Sequence, residues 1–300
     1  LFNKEAFVLR AIASVLAQTV GSWELIVVDD GSTDSGPEIV KGLVDRRIRV
    51  YRQSNSGVSS ARNKGIELAR SDLIAFLDSD DFWCEDFLST ILGLVRDFPH
   101  AMWYATSYEI HHPREGVFNA RVGGLPDGFS RGIIQNYFDV AICSDPPVCS
   151  SAAAVRRDSI QSIGGFALGI DSGEDLLTWA RLAVRYPLAY DVRILAVFDV
   201  SGIDRPPDPL GSVAEALEAL IVEFPGVDGL CAYQGLWCRM QAVMALRSGD
   251  KQLARSYAIS SVRARRRNLR NYYTFFLTLL PAGHAKWLDL WLRRLLSKYI

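Results

Sequence analysis

The sequence predicts an α/β fold: a mixed, mostly parallel sheet flanked by helices, then a helical C-terminal extension. Three observations lead there. Short continuous apolar runs alternate with amphipathic stretches from Leu1 to about Val200, the pitch of βαβ units with right-handed crossovers. Those runs end in polar, Asp-rich turns such as "DDGSTD" and "DSDD". After the break "DRPPDPLG" (Asp204–Gly211), helical periodicity continues almost to Ile300. The expected domains are therefore 1–203 and 204–300.

Lys4–Gln18 places Val8, Leu9, Ile12, Val15 and Leu16 at helical spacing, with Asn3 as its expected N-cap. "WELIVV" (Trp23–Val28) is a continuous apolar run, as a strand buried on both faces requires. A helix is expected over Gly36–Asp45, a strand over Ile48–Arg52 and a helix over Val58–Arg70. "DLIAFL" (Asp72–Leu77) reads as another buried strand. Further on, Glu85–Asp97 reads as a helix and Ala101–Ile110 as a strand. His111–Ser130 is a Gly- and Pro-bearing excursion, and "PPVCSSAAAV" and "LAYDVRILAVFDV" read as strands around a helix starting near Glu174.

Composition excludes several classes. Hydrophobic residues make up 49% and charged residues 22% of 300, which is globular rather than disordered. The net charge of −1 gives no global pull toward nucleic acid. The five cysteines form an odd, scattered set without C-x-x-C. They are expected to be buried free thiols in a reducing, cytoplasmic compartment. No window reaches the ~18 apolar residues of a membrane span.

In open α/β sheets, ligands sit beyond the carboxyl ends of the strands. Asp29-Asp30, the Asn55-Ser56-Gly57 loop and Asp78–Asp81 all fall there. Residues i and i+2 of a strand face one side, so Asp78 and Asp80 can aim at one point. Such crowding raises both pKa values unless a cation intervenes, and oxygen ligands suit Mg²⁺ or Mn²⁺. A solvated acidic turn capping the following helix is the alternative. Asp30 can close an Asx turn or accept a hydrogen bond from a base or ribose. Gly57 permits close backbone approach at a helix N-terminus, where phosphate is favoured, and Arg62 is either a phosphate partner or a surface residue. Glu174 and Asp175 open a helix, where one can cap the dipole and the other act as a general base.

Together these stretches resemble the inverting glycosyltransferases of family 2. "LFNKEAFVLRAIASVLAQT" is similar to the family's x-Tyr-Asn-x opening, and "WELIVVDDGSTD" to its nucleotide-binding strand and loop. "SNSGVSSARNKGIELARSDLIAFLDSDDFW" resembles the glycine loop, helix and D-x-D strand, and "SIGGFALGIDSGEDLLTWARLA" the acceptor loop and E-D helix. The resemblance covers Leu1 to about Val200 and implies a GT-A-type fold. It also implies a strand ahead of the x-Tyr-Asn step, so natural residues are expected before Leu1.

By resemblance, Phe2 stands where a Tyr stacks on the nucleotide base. Asp30 bonds the base or ribose of UDP, with Asn55, Gly57 and Arg62 nearby. Asp80 ligates a divalent metal, Mn or Mg, with Asp78 toward the ribose or the metal's water shell. Asp175 is the general base and Glu174 supports it. The implied reaction moves one sugar from a nucleotide-diphosphate sugar to a hydroxyl of a glycan or lipid-linked acceptor in cell-surface polysaccharide assembly. The Q-x-x-R-W motif of processive synthases is missing around Gln241, which implies one sugar per encounter. A sugar-1-phosphate nucleotidyltransferase and an inactive glycan- or partner-binding relative are the alternatives. In the C-terminal third, "RARRRNLR" precedes aromatic-rich segments. That pattern fits a solvated basic face or a peripheral contact with the inner face of a membrane.

Overall fold

The computed structural model describes residues 1–170, 172–202, 213–266 and 268–280. The chain divides into two compact units, Leu1–Pro206 and Pro207–Ile300. The boundary expected between 203 and 204 falls outside the described residues, as does the end of the tail from 281 to 300.

The first unit opens with α1 (Val8–Leu16), β1 (Leu25–Asp29), α2 (Gly36–Lys41), β2 (Ile48–Arg52), α3 (Val58–Leu68) and β3 (Leu73–Ala75). It continues with β4 (Phe82–Trp83), α4 (Phe87–Asp97), β5 (Trp103–His112), β6 (Gly116–Asn119), β7 (Arg131–Ile134) and α5 (Tyr137–Ala141). A 3₁₀ turn at Ser150–Ala152 leads into β8 (Ala153–Arg156), α6 (Arg157–Ser162), α7 (Glu174–Ala183) and β9 (Leu188–Asp199). The second unit consists of α8 (Val213–Glu223), α9 (Leu230–Ser248), α10 (Lys251–Ala264) and α11 (Leu269–Leu279).

β1 and β2 pair in parallel, Leu25 opposite Ile48 through Asp29 opposite Arg52. The main sheet runs β3-β8-β5-β9-β4, with β6 on β5 and β7 on β9. The sheet is mixed, but the expectation of a mostly parallel one is corrected. Among the described residues only β1–β2 and β5–β9 pair in parallel. The other ladders run antiparallel. Parallel pairing needs a crossover of a dozen or more residues, and from Asp81 onward the chain instead doubles back. β8 inserts between β3 and β5 and opposes both.

Two smaller expectations change. Asn3 does not cap α1; Phe7 holds that position. Asn3 adopts φ +50° and its side chain accepts the Thr33 N–H at 2.8 Å, tying the first residues to the loop after β1. Leu1 lies beside β1: its nitrogen donates to Val28 O and its carbonyl accepts from Asp30 N, both at 2.8 Å. All five cysteines are free, but Cys84, Cys143 and Cys231 are exposed rather than buried. Among the described residues no helix is long and apolar enough to cross a membrane.

Aromatic packing sets the height of the strand ends. Trp103 and Trp179 are fully buried and stack at 5.9 Å, and Phe166 meets both Trp179 and Phe76 edge-on. Asn63 of α3 then clips the loop before α7: its Nδ2 donates to Phe166 O at 2.9 Å and its Oδ1 accepts Phe166 N–H at 2.8 Å. Gly165 crosses this clip at φ +73°, where an added Cβ would lie 2.4 Å from Asn63 Oδ1. Gly165→Ala is therefore expected to cost at least about 1–2 kcal/mol from backbone handedness alone, read as a lowered urea midpoint.

Candidate active site

The polar loops at the strand ends converge, and one cation joins two of them. Arg62 lies on α3 with its side chain only 10% exposed. Its Nη2 donates to both oxygens of Asp78 at 2.8 Å, and its Nη1 donates to Glu174 Oε1 at 2.7 Å. Burial works against the guanidinium's charge, but Asp78, Glu174 and Asp175 outweigh it and raise its pKa. The ring of Phe166 lies 5.1 Å beneath it. Arg62 is thus a buried bridge, neither a surface residue nor a side chain reaching out from the helix.

Asp30, at the end of β1, is 4% exposed. Its Oδ1 accepts Gln53 Nε2 at 2.8 Å and Ser56 N–H at 2.9 Å, and its Oδ2 accepts Gly57 N–H at 2.9 Å. It therefore anchors the Asn55–Gly57 loop. Gly57 takes φ +88°, but an added Cβ would meet nothing within 4 Å, so conformation rather than crowding selects glycine. The close approach occurs at Gly31, φ +80°, where a Cβ would lie 2.8 Å from Asn55 N. Asn55 itself is exposed at the loop tip, and half-buried Phe2 follows the Leu1 rung beside Asp30.

The D-x-D turn is sorted by environment. Asp81 is 1% exposed, and its carboxylate accepts Ser151 Oγ–H at 2.5 Å and Asp199 N–H at 2.8 Å. Burial, with Asp78 adding to it, pushes its pKa well above the carboxylate range. Ser151 also accepts Asp78 N–H at 3.0 Å, so this one hydroxyl joins both ends of the turn. Asp80 meets Lys4 Nζ at 2.9 Å, and its carbonyl accepts from Arg10. Among the described residues no group of three or more His, Cys, Asp or Glu side chains could hold a metal ion by itself.

Asp175 stands at the first turn of α7. Leu176 N–H donates to its Oδ1 at 2.7 Å and Ser150 Oγ to its Oδ2 at 3.2 Å. Burial and the neighbouring Glu174 charge raise its pKa to about 7, against the pull of Arg62. Ser150, Ser151, Lys4 and Arg10 were missed from sequence. "PPVCSSAAAV" reads as a strand, and only its two adjacent serines ahead of the small apolar run hint at a polar turn.

The profile described as "Glycosyl transferase family 2" matches residues 1–164. The chain belongs to that family. A putative glycosyltransferase EpsH of Bacillus subtilis is 41% identical over 96 residues, 30% of this chain and 28% of that protein. An uncharacterised glycosyltransferase of Rickettsia felis is 28% identical over 203 residues, 67% of this chain and 32% of its own length. Bacillus subtilis TuaG, a putative teichuronic acid biosynthesis glycosyltransferase, is 43% identical over 99 residues, 32% and 39% of the two chains. The chain thus spans well under half the length of these relatives. Staphylococcus aureus TarS 1–349 in complex with UDP-GlcNAc superposes with TM-score 0.66 at 14% identity, covering 92% of this chain and 88% of that one. The family 2 chain has the GT-A-like fold of that structure.

Removing Arg62 leaves buried Glu174 and half-buried Asp78 without their shared cation. Arg62→Gln is expected to lose about 3–5 kcal/mol, measured by chemical denaturation. It also removes the pull that lowers the Asp175 pKa, which then rises above about 7. A carboxyl whose folded pKa is raised favours the folded state while protonated, so stability falls as pH rises toward 7. Asp175→Asn should flatten that limb of the pH–stability curve.

Proposed function

We propose that the first unit transfers one sugar from a nucleotide-diphosphate sugar, UDP-linked, to a hydroxyl of a glycan or lipid-linked acceptor, with inversion. The observation that carries this reading is Asp175, whose pKa of about 7 suits a general base at neutral pH. Its Oδ2 holds only a long 3.2 Å bond from Ser150. It would take the acceptor hydroxyl's proton as that oxygen attacks the anomeric carbon from the face opposite the diphosphate. A single displacement needs no second carboxylate as nucleophile, unlike a retaining hydrolase.

Arg62 and Glu174 hold Asp175 and Asp78 in register during that step. The Asp30-anchored loop presents Asn55 and the start of α3 to the donor, and Phe2 offers a ring face to the base. A divalent cation, Mg²⁺ or Mn²⁺, fits beside Asp80, because one carboxylate plus substrate phosphate oxygens is a donor set such ions accept. When bound, it would neutralise charge on the departing diphosphate. Asp78, with both oxygens on Arg62, serves the bridge rather than the ion. The solved UDP-GlcNAc complex and the polysaccharide-related relatives support a sugar nucleotide donor and a cell-surface glycan product.

Calorimetric titration with UDP in Mn²⁺ tests the assignment. Asp80→Ala should lose metal-dependent binding, whereas Asp175→Asn should bind UDP normally and turn over at least ~100-fold more slowly, as general-base loss does. UDP binding that ignores both metal and Asp80 would overturn it.

The second unit carries a surface suited to an anionic bilayer. Leu269, Tyr272, Phe276 and Leu279 are all exposed, between 44% and 82%, and their spacing puts them on one face of α11. Arg263, Arg265, Arg266 and Arg270, exposed as well, lie in the preceding segment and the first turn of α11. Apolar insertion plus basic flanks is the composition of an interfacial helix. Leu269→Ser with Phe276→Ser is expected to abolish co-sedimentation with phosphatidylglycerol vesicles without altering UDP binding.

A further inference from the structure

The first unit holds an open cleft of about 490 Å³ that none of the above uses, between the outer face of α4 and the strands β7 and β9. Ligand sites commonly occupy roughly 300–1,000 Å³, so the volume suits a ligand rather than a few waters. Arg96, Arg131 and Arg193 line it, together with Ser89, Thr90 and Val20. Two carboxylates oppose these three guanidinium groups. Asp97 meets Arg96 at 2.8 Å and Arg131 at 3.0 Å, and Asp191 meets Arg193 at 2.9 Å and Arg131 at 3.7 Å. A third, Asp86 at the N-cap of α4, acts on Arg193 through its charge, so the arginines are matched in number by acids.

The hydrogen-bond inventory is also unfilled there. Arg131 Nε and Nη2 are buried and make no hydrogen bond, although they sit near both acids. Thr90, 4% exposed, has an Oγ1 without a partner. Buried polar atoms are rarely left unpaired, and such exceptions require an explanation. An anion with several oxygens would supply acceptors to Arg131 and Thr90. Arg96 and Arg193, 78% and 54% exposed, present their remaining N–H groups to the cleft while paired with Asp97 and Asp191.

We propose that this cleft is a second binding site, for the phosphate or carboxylate groups of an acidic acceptor glycan. The inference rests on the transferase reading for the word acceptor, and on the cleft for the charge. No aromatic ring lines the cleft, so recognition comes from the charged substituent rather than from stacking on a base or a sugar face. Asp97 and Asp191 beside the arginines oppose a dense polyanion such as nucleic acid and suit a chain whose charges are spaced by sugars. The location fits as well. β9 ends at Asp199, whose N–H bonds Asp81 in the D-x-D turn. Arg193 lies six residues earlier, where the β5–β9 register shifts, so at most about 20 Å back along the strand. A charged oligosaccharide several units long could engage both.

The test uses the full chain and three probes: a glycerol-phosphate oligomer, an oligogalacturonate and a neutral dextran of equal length. Affinity is read calorimetrically at low and high salt, alongside UDP with Mn²⁺. Arg96→Gln with Arg193→Gln removes two exposed side chains, and Thr90→Val removes one hydroxyl at nearly constant shape. One acidic oligomer is expected to bind, more weakly at high salt, at least tenfold more weakly in the arginine double variant and measurably more weakly in Thr90→Val. UDP affinity should not change, and dextran should not bind. Whether the phosphate or the uronate oligomer binds identifies the charged group. A sample that binds UDP but neither acidic oligomer overturns the inference, as does equal acidic binding by wild type and both variants. Loss of UDP binding alone would strike the transferase reading and leave the cleft standing.

Discussion

The site depends on one buried guanidinium. Arg62 is shared between Asp78, at the end of the strand that carries the D-x-D turn, and Glu174, at the start of the helix that carries Asp175. These acids come from stretches nearly a hundred residues apart in sequence. Without a cation between them, each would be desolvated beside the other's charge. The next residue, Asn63, makes the second half of the connection by clipping the backbone at Phe166. Two consecutive residues of α3 therefore join the D-x-D turn to the segment that leads into α7 and Asp175. The ring of Phe166 under Arg62 also packs edge-on against buried Trp179, so the bridge rests on the aromatic core.

Around that bridge, identical side chains acquire different chemistry from their surroundings. Asp30 spends both oxygens on a loop, and Asp81 spends both on Ser151 and Asp199. Asp78 is saturated by Arg62. Asp80 keeps an ammonium as its partner, one that a divalent ion could replace at little structural cost. Asp175 has the raised pKa because it is buried and Glu174 is beside it, and its Oδ2 holds only the 3.2 Å bond from Ser150. A carboxylate with a base's pKa needs a charged neighbour that is itself tied down, which is the role the Arg62–Glu174 pair performs.

Much of this was legible in the chain itself. β2 spans the expected Ile48–Arg52, and the order of the alternating elements through β3 holds. Continuous apolar runs ending in acidic turns mark strand ends whatever lies next to them. Strand direction was not legible, since the β8 run has the same apolar composition whether it lies parallel or antiparallel to β5. Nor was the role of Arg62, because one Arg on a helix gives no sign of being buried until the acids it meets are placed in space. Asp30 shows the opposite limit: its position was readable, but its partners are backbone N–H groups, which every loop offers. Ser151 escaped for the same reason, since a single hydroxyl gains its importance from Asp78 and Asp81, seventy residues away.

The strand β9 runs from the D-x-D turn back to the arginine cleft, and its register on β5 shifts between Asp191 and Ala196. It pairs with β5 along most of its length and carries Asp199 near one end and Arg193 further back. Contacts made so far from the reacting atoms are alike in ground and transition state, so on their own they would lower KM and leave kcat unchanged. They could raise kcat only by spending that binding energy on orientation, holding the acceptor hydroxyl against Asp175 in a near-attack geometry. Under the proposed reading, the ladder on either side of the β9 register shift would set the separation that turns grip at the cleft into register at Asp175. A neutral acceptor would forgo that register and meet the same base less often in the right pose. Selection for an acidic chain would then act through geometry as much as through charge.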